Sequence, residues 1–168
     1  MKKTLTALLS LMPMAALAVN VVAPHEGTVL GTTYGSSGAF HGALDIASGK
    51  ACGTVTLDAP LQGSFAWTVA VRTTAKVCYG NGSGNQNEAK HTLANGYVFR
   101  VWHLQYVSGV TQSKTCDRCR LGDEGASGNV TSPHTHLQAD KSGTNNTAWY
   151  SGTTKGEYVE RGEVIGRF

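Results

Sequence analysis

Hydrophobic and polar residues are most clearly ordered over Tyr97-Val98-Phe99-Arg100-Val101-Trp102-His103-Leu104. In a strand, successive side chains point to opposite faces. Tyr97, Phe99, Val101 and His103 then share one face, and Val98, Arg100, Trp102 and Leu104 the other. Both faces are largely apolar, which predicts a central strand covered on both sides. Weaker runs predict an extended lead-in over 19–30, a segment over 40–46, a short strand over 54–57 and a strand over 63–75 around Trp67, with 77–79 as its extension. A further strand is expected around His134 and His136, and one more in the tail, 158–168. Between these lie a Gly/Ser/Thr-rich loop at 31–37, a long polar loop at 80–96 with Asn-Gly at each end, a cysteine-containing loop and a polar segment at 141–156. No internal repeat and no sustained helical period follows residue 18. The pattern predicts a mainly all-β, antiparallel domain with long loops, occupying 19–168.

The first residues read differently. Lys2-Lys3 precede a short apolar run and then Ala16-Leu17-Ala18, the pattern of a secretory signal peptide cleaved after Ala18. The apolar run is short for a membrane span and contains Pro13, and no second one follows. The expectation is an exported protein, secreted or periplasmic, with no membrane span in the mature chain. The 21 glycines and the abundance of Thr, Ser, Val and Asn favour short strands and tight turns. Formal charge is +3, and losing Lys2 and Lys3 leaves the chain nearly neutral, which argues against nucleic acid as a partner.

Four cysteines in an exported chain predict disulfides. Of the possible pairings, Cys52–Cys78 with Cys116–Cys119 is favoured, because the second pair closes a small local loop. Cys116-x-x-Cys119 is also compatible with half a zinc site or a redox pair, but half a zinc site needs two further ligands.

Candidate chemistry lies in the histidines. His134 and His136 are two apart, so on a strand both aim the same way. His41 and Asp45, four apart, would also share a strand face, with small Ala43 between them. Two imidazoles and a carboxylate form a three-ligand zinc site with one position open, the catalytic kind. Such an ion lowers the pKa of its water to about 7, and further neutral imidazoles can move protons or stabilise an oxyanion. Taken singly, each element has a plainer reading: strand histidines without a ligand, an Asp45–His41 hydrogen bond, a core imidazole at His103. His25-Glu26 does not begin an H-E-x-x-H helix, because position 29 is Val. His91 falls in the polar loop and is expected to face solvent. Neither His25 nor His91 is given a role.

Three blocks together resemble a known family. Phe40-His41-Gly42-Ala43-Leu44-Asp45-Ile46-Ala47 resembles the H-x-x-x-D motif of the lysostaphin/LytM-type zinc metallopeptidases. Gly125-Ala126-Ser127-Gly128-Asn129, followed by Ser132-Pro133-His134-Thr135-His136-Leu137, is similar to their glycine-rich segment and G-P-H-L-H motif. Trp102-His103-Leu104 is similar to their Y-x-H-L strand. The blocks stand in the family's order. The disulfides resemble those of its exported beta-lytic branch. The resemblance implies a two-sheet antiparallel β domain with an open groove, one Zn2+ on His41, Asp45 and His136, and His103 and His134 as the non-ligand catalytic imidazoles. It implies peptidoglycan peptides as substrate, and Tyr34, before His41, as a groove residue. A monomer is expected. The sequence departs from the family pattern at Ser132, Thr135 and Leu137-Gln138, and in its 80–96 and Cys116–Cys119 loops, which are expected to wall the groove. Two other readings stay open: a catalytically silent wall-binding or regulatory domain of the same fold, and a zinc peptidase of the D-Ala-D-Ala carboxypeptidase type.

Overall fold

A computed structural model describes residues 18–35, 38–110 and 112–168. The expected signal peptide, but for Ala18, lies outside the described residues. The chain forms β1 (Asn20–Val22), β2 (Gly27–Gly31), β3 (Leu44–Ala47), β4 (Thr56–Asp58), β5 (Phe65–Ala70), β6 (Glu88–Thr92) and β7 (Val98–Trp102). Then come β8 (Ser113–Cys116), β9 (Arg120–Asp123), β10 (Thr135–Lys141), β11 (Thr144–Asn145), a 3-10 turn (Ala148–Tyr150), β12 (Tyr158–Val159) and β13 (Val164–Arg167). The protein is all-β, and its strand pairs are antiparallel.

Nine strands make one large sheet in the order β12-β2-β3-β10-β7-β6-β5-β8, with β11 hairpinned onto β10. The second layer is two separate ribbons, β1–β13 and β4–β9. A single apolar cluster joins the layers: Val21, Leu57, Leu121 and Ile165 from the ribbons meet Leu44, Ile46, Trp67, Phe99, Val101 and Leu137 from the sheet. Burying each such side chain contributes about 1.5–3 kcal/mol before ordering costs.

β7 is central, between β10 and β6, but only one of its faces is covered. Phe99 and Val101 are fully buried, while Val98, Arg100 and Trp102 are partly open. β10 repeats the pattern: Thr135, Leu137 and Ala139 point into the core, and Gln138 and Asp140 are partly open. The sheet therefore has a packed face and an open one.

Several expectations are corrected. The 80–96 segment is not all loop, since it contains β6, which pairs with β5 and β7. Ala89 is its single apolar residue, so the alternation is faint in sequence although Ala89 is wholly buried. His91 thus sits on a strand, half-buried, its ring 4.9 Å from that of Phe65. Residues 77–79 do not extend β5. The cysteine-containing loop holds two strands, β8 and β9, and the tail two rather than one. In the polar 141–156 segment, Trp149 and Tyr150 are core residues. Disulfides join Cys52 to Cys78 and Cys116 to Cys119.

Candidate metal centre

Strand register brings together two of the three residues of the centre. His136 on β10 lies opposite Asp45 on β3 and opposite Trp102 on β7. His41 arrives differently from the expectation of a shared strand face. β3 begins only at Leu44, and Gly42 turns the chain with φ +69°. The main-chain N–H groups of His41 and Gly42 both donate to the Thr33 carbonyl, at 2.9 and 3.1 Å. A side chain at position 42 would meet Phe40 and Asn145, so glycine is what this tight turn admits. The turn, not the strand, delivers His41 to Asp45.

The result is compact. His41 Nε2 lies 3.1 Å from Asp45 Oδ2, and His136 Nδ1 lies 3.0 Å from Asp45 Oδ1. One donor atom from each of the three residues lies within 4.8 Å of the others. The two contacts to Asp45 are close to the roughly 3.3 Å that separates ligand atoms around a tetrahedral ion with bonds of about 2.0–2.1 Å, so the group could hold a metal ion. His41 Nδ1–H donates to the Thr32 carbonyl at 2.9 Å, leaving Nε2 for the ion. Outer hydrogen bonds of this kind fix the tautomer of a ligating imidazole. The His136 ring is stacked on Trp102, centroids 4.8 Å apart and planes 9° from parallel.

Two more imidazoles border the same point. His134 precedes β10, its Nδ1–H donating to the Ser132 carbonyl at 2.9 Å and its Nε2 standing 3.8 Å from Asp45 Oδ1. His103 follows β7. Strict alternation would put it in the core with Phe99 and Val101. Instead it adopts φ 69°, a left-handed conformation that is costly for a residue with a Cβ. That one residue reverses the alternation, sending Leu104 into the core and His103 to the open side. Its Nδ1–H donates to the Ser127 carbonyl at 2.8 Å, and its ring lies 4.8 Å from that of His134.

The electrostatics follow from the packing. Burial raises the Asp45 carboxyl, but hydrogen bonds from His136 and His41 outweigh it and hold the group ionised well below the usual carboxylate range. The Asp45 hydrogen bond raises His41 against the opposing effect of burial. Burial, with the neighbouring His134 and His136, pushes His103 down to about 3, so it is a neutral acceptor at ordinary pH.

These side chains line a cavity of about 480 Å3, open to solvent, whose other lining residues include Trp102, Ser83, Gln86, Asn129 and Thr131. One wall is the start of the long polar segment. Gly80 N–H donates to the Val130 carbonyl at 2.9 Å, and Asn81 N–H to the Gly128 carbonyl at 2.8 Å. Cys78, just before it, is tied to Cys52. The 80–87 stretch therefore walls the cleft as expected, whereas the Cys116–Cys119 turn packs against the core instead. Tyr34 is brought to the rim of its own loop, 61% exposed and edge-on to Phe40 at 6.2 Å, and does not line the cleft.

Trp102, Gln138 and His25 carry weight that sequence reasoning gave them no role for. His25 is fully buried behind β10, with Nε2 2.8 Å from the Thr135 hydroxyl, so it holds the strand between the two cleft-lining imidazoles from below. Period-two spacing on β10 was the available signal for Gln138; the sequence held none for His25.

Compared with protein-family models the chain matches none, and no curated protein matches it. Among the described residues no helix is long and apolar enough to cross a membrane.

Proposed function

We propose that this protein is an exported zinc endopeptidase that hydrolyses peptide bonds of bacterial peptidoglycan, in the manner of the lysostaphin/LytM-type enzymes its motifs resemble. One observation carries the reading. His41, Asp45 and His136 converge on a single point while His103 and His134, each tied back by one ring nitrogen, border that same point. A closed structural site would leave those two imidazoles nothing to do.

His41 Nε2, Asp45 and His136 Nδ1 would hold the ion. When bound, zinc supplies Lewis acidity toward a water and a peptide carbonyl. His134 Nε2, the more open of the two, receives the proton of the attacking water and returns it to the leaving amine. His103 stays neutral with its Nε2 lone pair toward the cleft, so it accepts from the attacking water and helps to orient it. The open cleft admits an extended peptide, with the 80–87 wall and Trp102 against it. The disulfides suit an oxidising compartment, which supports export.

The test is metal analysis together with clearing of purified cell walls. We expect about one zinc per chain, loss of wall clearing with a chelator and its return with zinc. A zinc-loaded, folded protein inert on walls from several species would sink the proposal. Mass spectrometry of the products separates internal cleavage from release of terminal D-Ala.

A further inference from the structure

The inference concerns how His136 is presented to the ion, and it rests on the proposed zinc site. His41, His103 and His134 each give one ring N–H to a main-chain carbonyl, which no substitution can remove. His136 alone depends on a side chain. Gln138 lies two residues further along β10, on the same face, with its Oε1 3.2 Å from His136 Nε2. We propose that Gln138 is a positioning residue that fixes which nitrogen of His136 meets the metal.

The direction of the Gln138 amide is determined by its surroundings. Its Nε2 faces Asp140 Oδ1 at 3.4 Å and Asn145 Oδ1 at 3.3 Å. A carboxylate oxygen only accepts, so the NH2 end must point there and the carbonyl end toward the imidazole. Asp140 is itself held by Arg100 Nε at 2.6 Å. With its oxygen accepting from Nε2–H, the amide keeps that proton in place, so it is Nδ1, the nitrogen facing Asp45, that gives up its proton and offers a lone pair when an ion binds. The stack on Trp102 holds the ring plane, but stacking cannot choose between the two nitrogens. Gln138 makes that choice.

The experiment compares zinc affinity, by competition with a chromophoric chelator, and the visible spectrum of the cobalt-substituted protein in Gln138→Leu, Gln138→Met and Gln138→Glu. Leu and Met remove the strong acceptor, and Met keeps the side chain's length should Leu disturb folding. Glu restores an acceptor. We expect zinc binding about 10–100-fold weaker and altered cobalt bands in the first two, with the melting temperature of the zinc-free proteins unchanged. Gln138→Glu should return affinity and bands close to wild type. Leu and Met variants with wild-type zinc affinity and cobalt bands would overturn the inference, as would loss confined to the melting temperature. A wild-type chain that takes up neither zinc nor cobalt overturns the proposed function and this inference together.

Discussion

The two faces of the β7–β10 pair were built from neighbouring residues, yet they obey different rules. On the packed face Phe99, Val101, Leu137 and Ala139 are wholly buried, and their identity is fixed by volume. On the open face His136, Gln138, Asp140, Arg100 and Trp102 are fixed by hydrogen bonds, ion pairs and ring stacking. Arg100 serves two carboxylates there, Glu88 and Asp140. The difference teaches that stability and chemistry are separable in this protein one residue at a time along the same strand. Thr135 and His136 are adjacent, and one secures the strand while the other serves the cleft.

The separation can be broken most forcefully from the packed side. Phe99→Ala should cost about 3–5 kcal/mol in denaturant unfolding, with residual folded protein still binding zinc. A cost below about 1 kcal/mol would mean that this face does not carry the fold. On the open side, His134→Ala should lower kcat about 10²–10⁴-fold while zinc content and melting temperature stay at wild-type values. Loss of zinc in that variant would make His134 a ligand and undo the assignment of roles.

The wall of the cleft offers a milder intervention. A Cβ at Gly80 would run into the main chain at Val130 and Gly128. Gly80→Ala should therefore cost about 1–3 kcal/mol and raise KM more than it lowers kcat, with zinc affinity unchanged. Equal losses in kcat and zinc affinity would show that the wall and the ligand set are not independent.

The smallest effect is a pH dependence. His103 titrates at about 3 in the folded protein against an ordinary value of 6.5. Below 6.5 the unfolded chain takes up a proton that the folded chain refuses, so stability falls as pH drops through that window. In zinc-free protein, His103→Asn, which tolerates the left-handed backbone, should flatten the fall between about pH 6.5 and 4. An unchanged slope would mean that His103 is not held neutral by its surroundings. Asp45 contributes acid sensitivity of the same sign at lower pH, since its lowered carboxyl must be protonated there.

The all-β class was legible from turn residues and period-two runs, and so were both disulfide pairings. The three ligand residues named from sequence do converge, though for His41 the mechanism was misjudged: spacing alone does not reveal a glycine turn. β6 was hidden because Glu88-Ala89-Lys90-His91-Thr92 has a single small apolar residue, and its place in the sheet is set by β5 and β7. The covered-both-sides reading of β7 failed because Val98 and Trp102 are apolar yet lie on the open face, where Trp102 lines the cleft. His103 shows the limit of alternation, since a left-handed residue shifts the phase without any mark in composition. The ribbons of the second layer, and His25 beneath β10, depend on contacts between distant segments that no local pattern encodes.

The stacking of Trp102 on His136 has a practical consequence. The chain holds three tryptophans, and Trp67 and Trp149 are sealed in the core cluster. Only Trp102 stacks on an imidazole of the candidate metal centre. Its indole is therefore a built-in fluorophore for the cleft, and a change in its emission on adding zinc would report occupancy of the proposed site with no label attached.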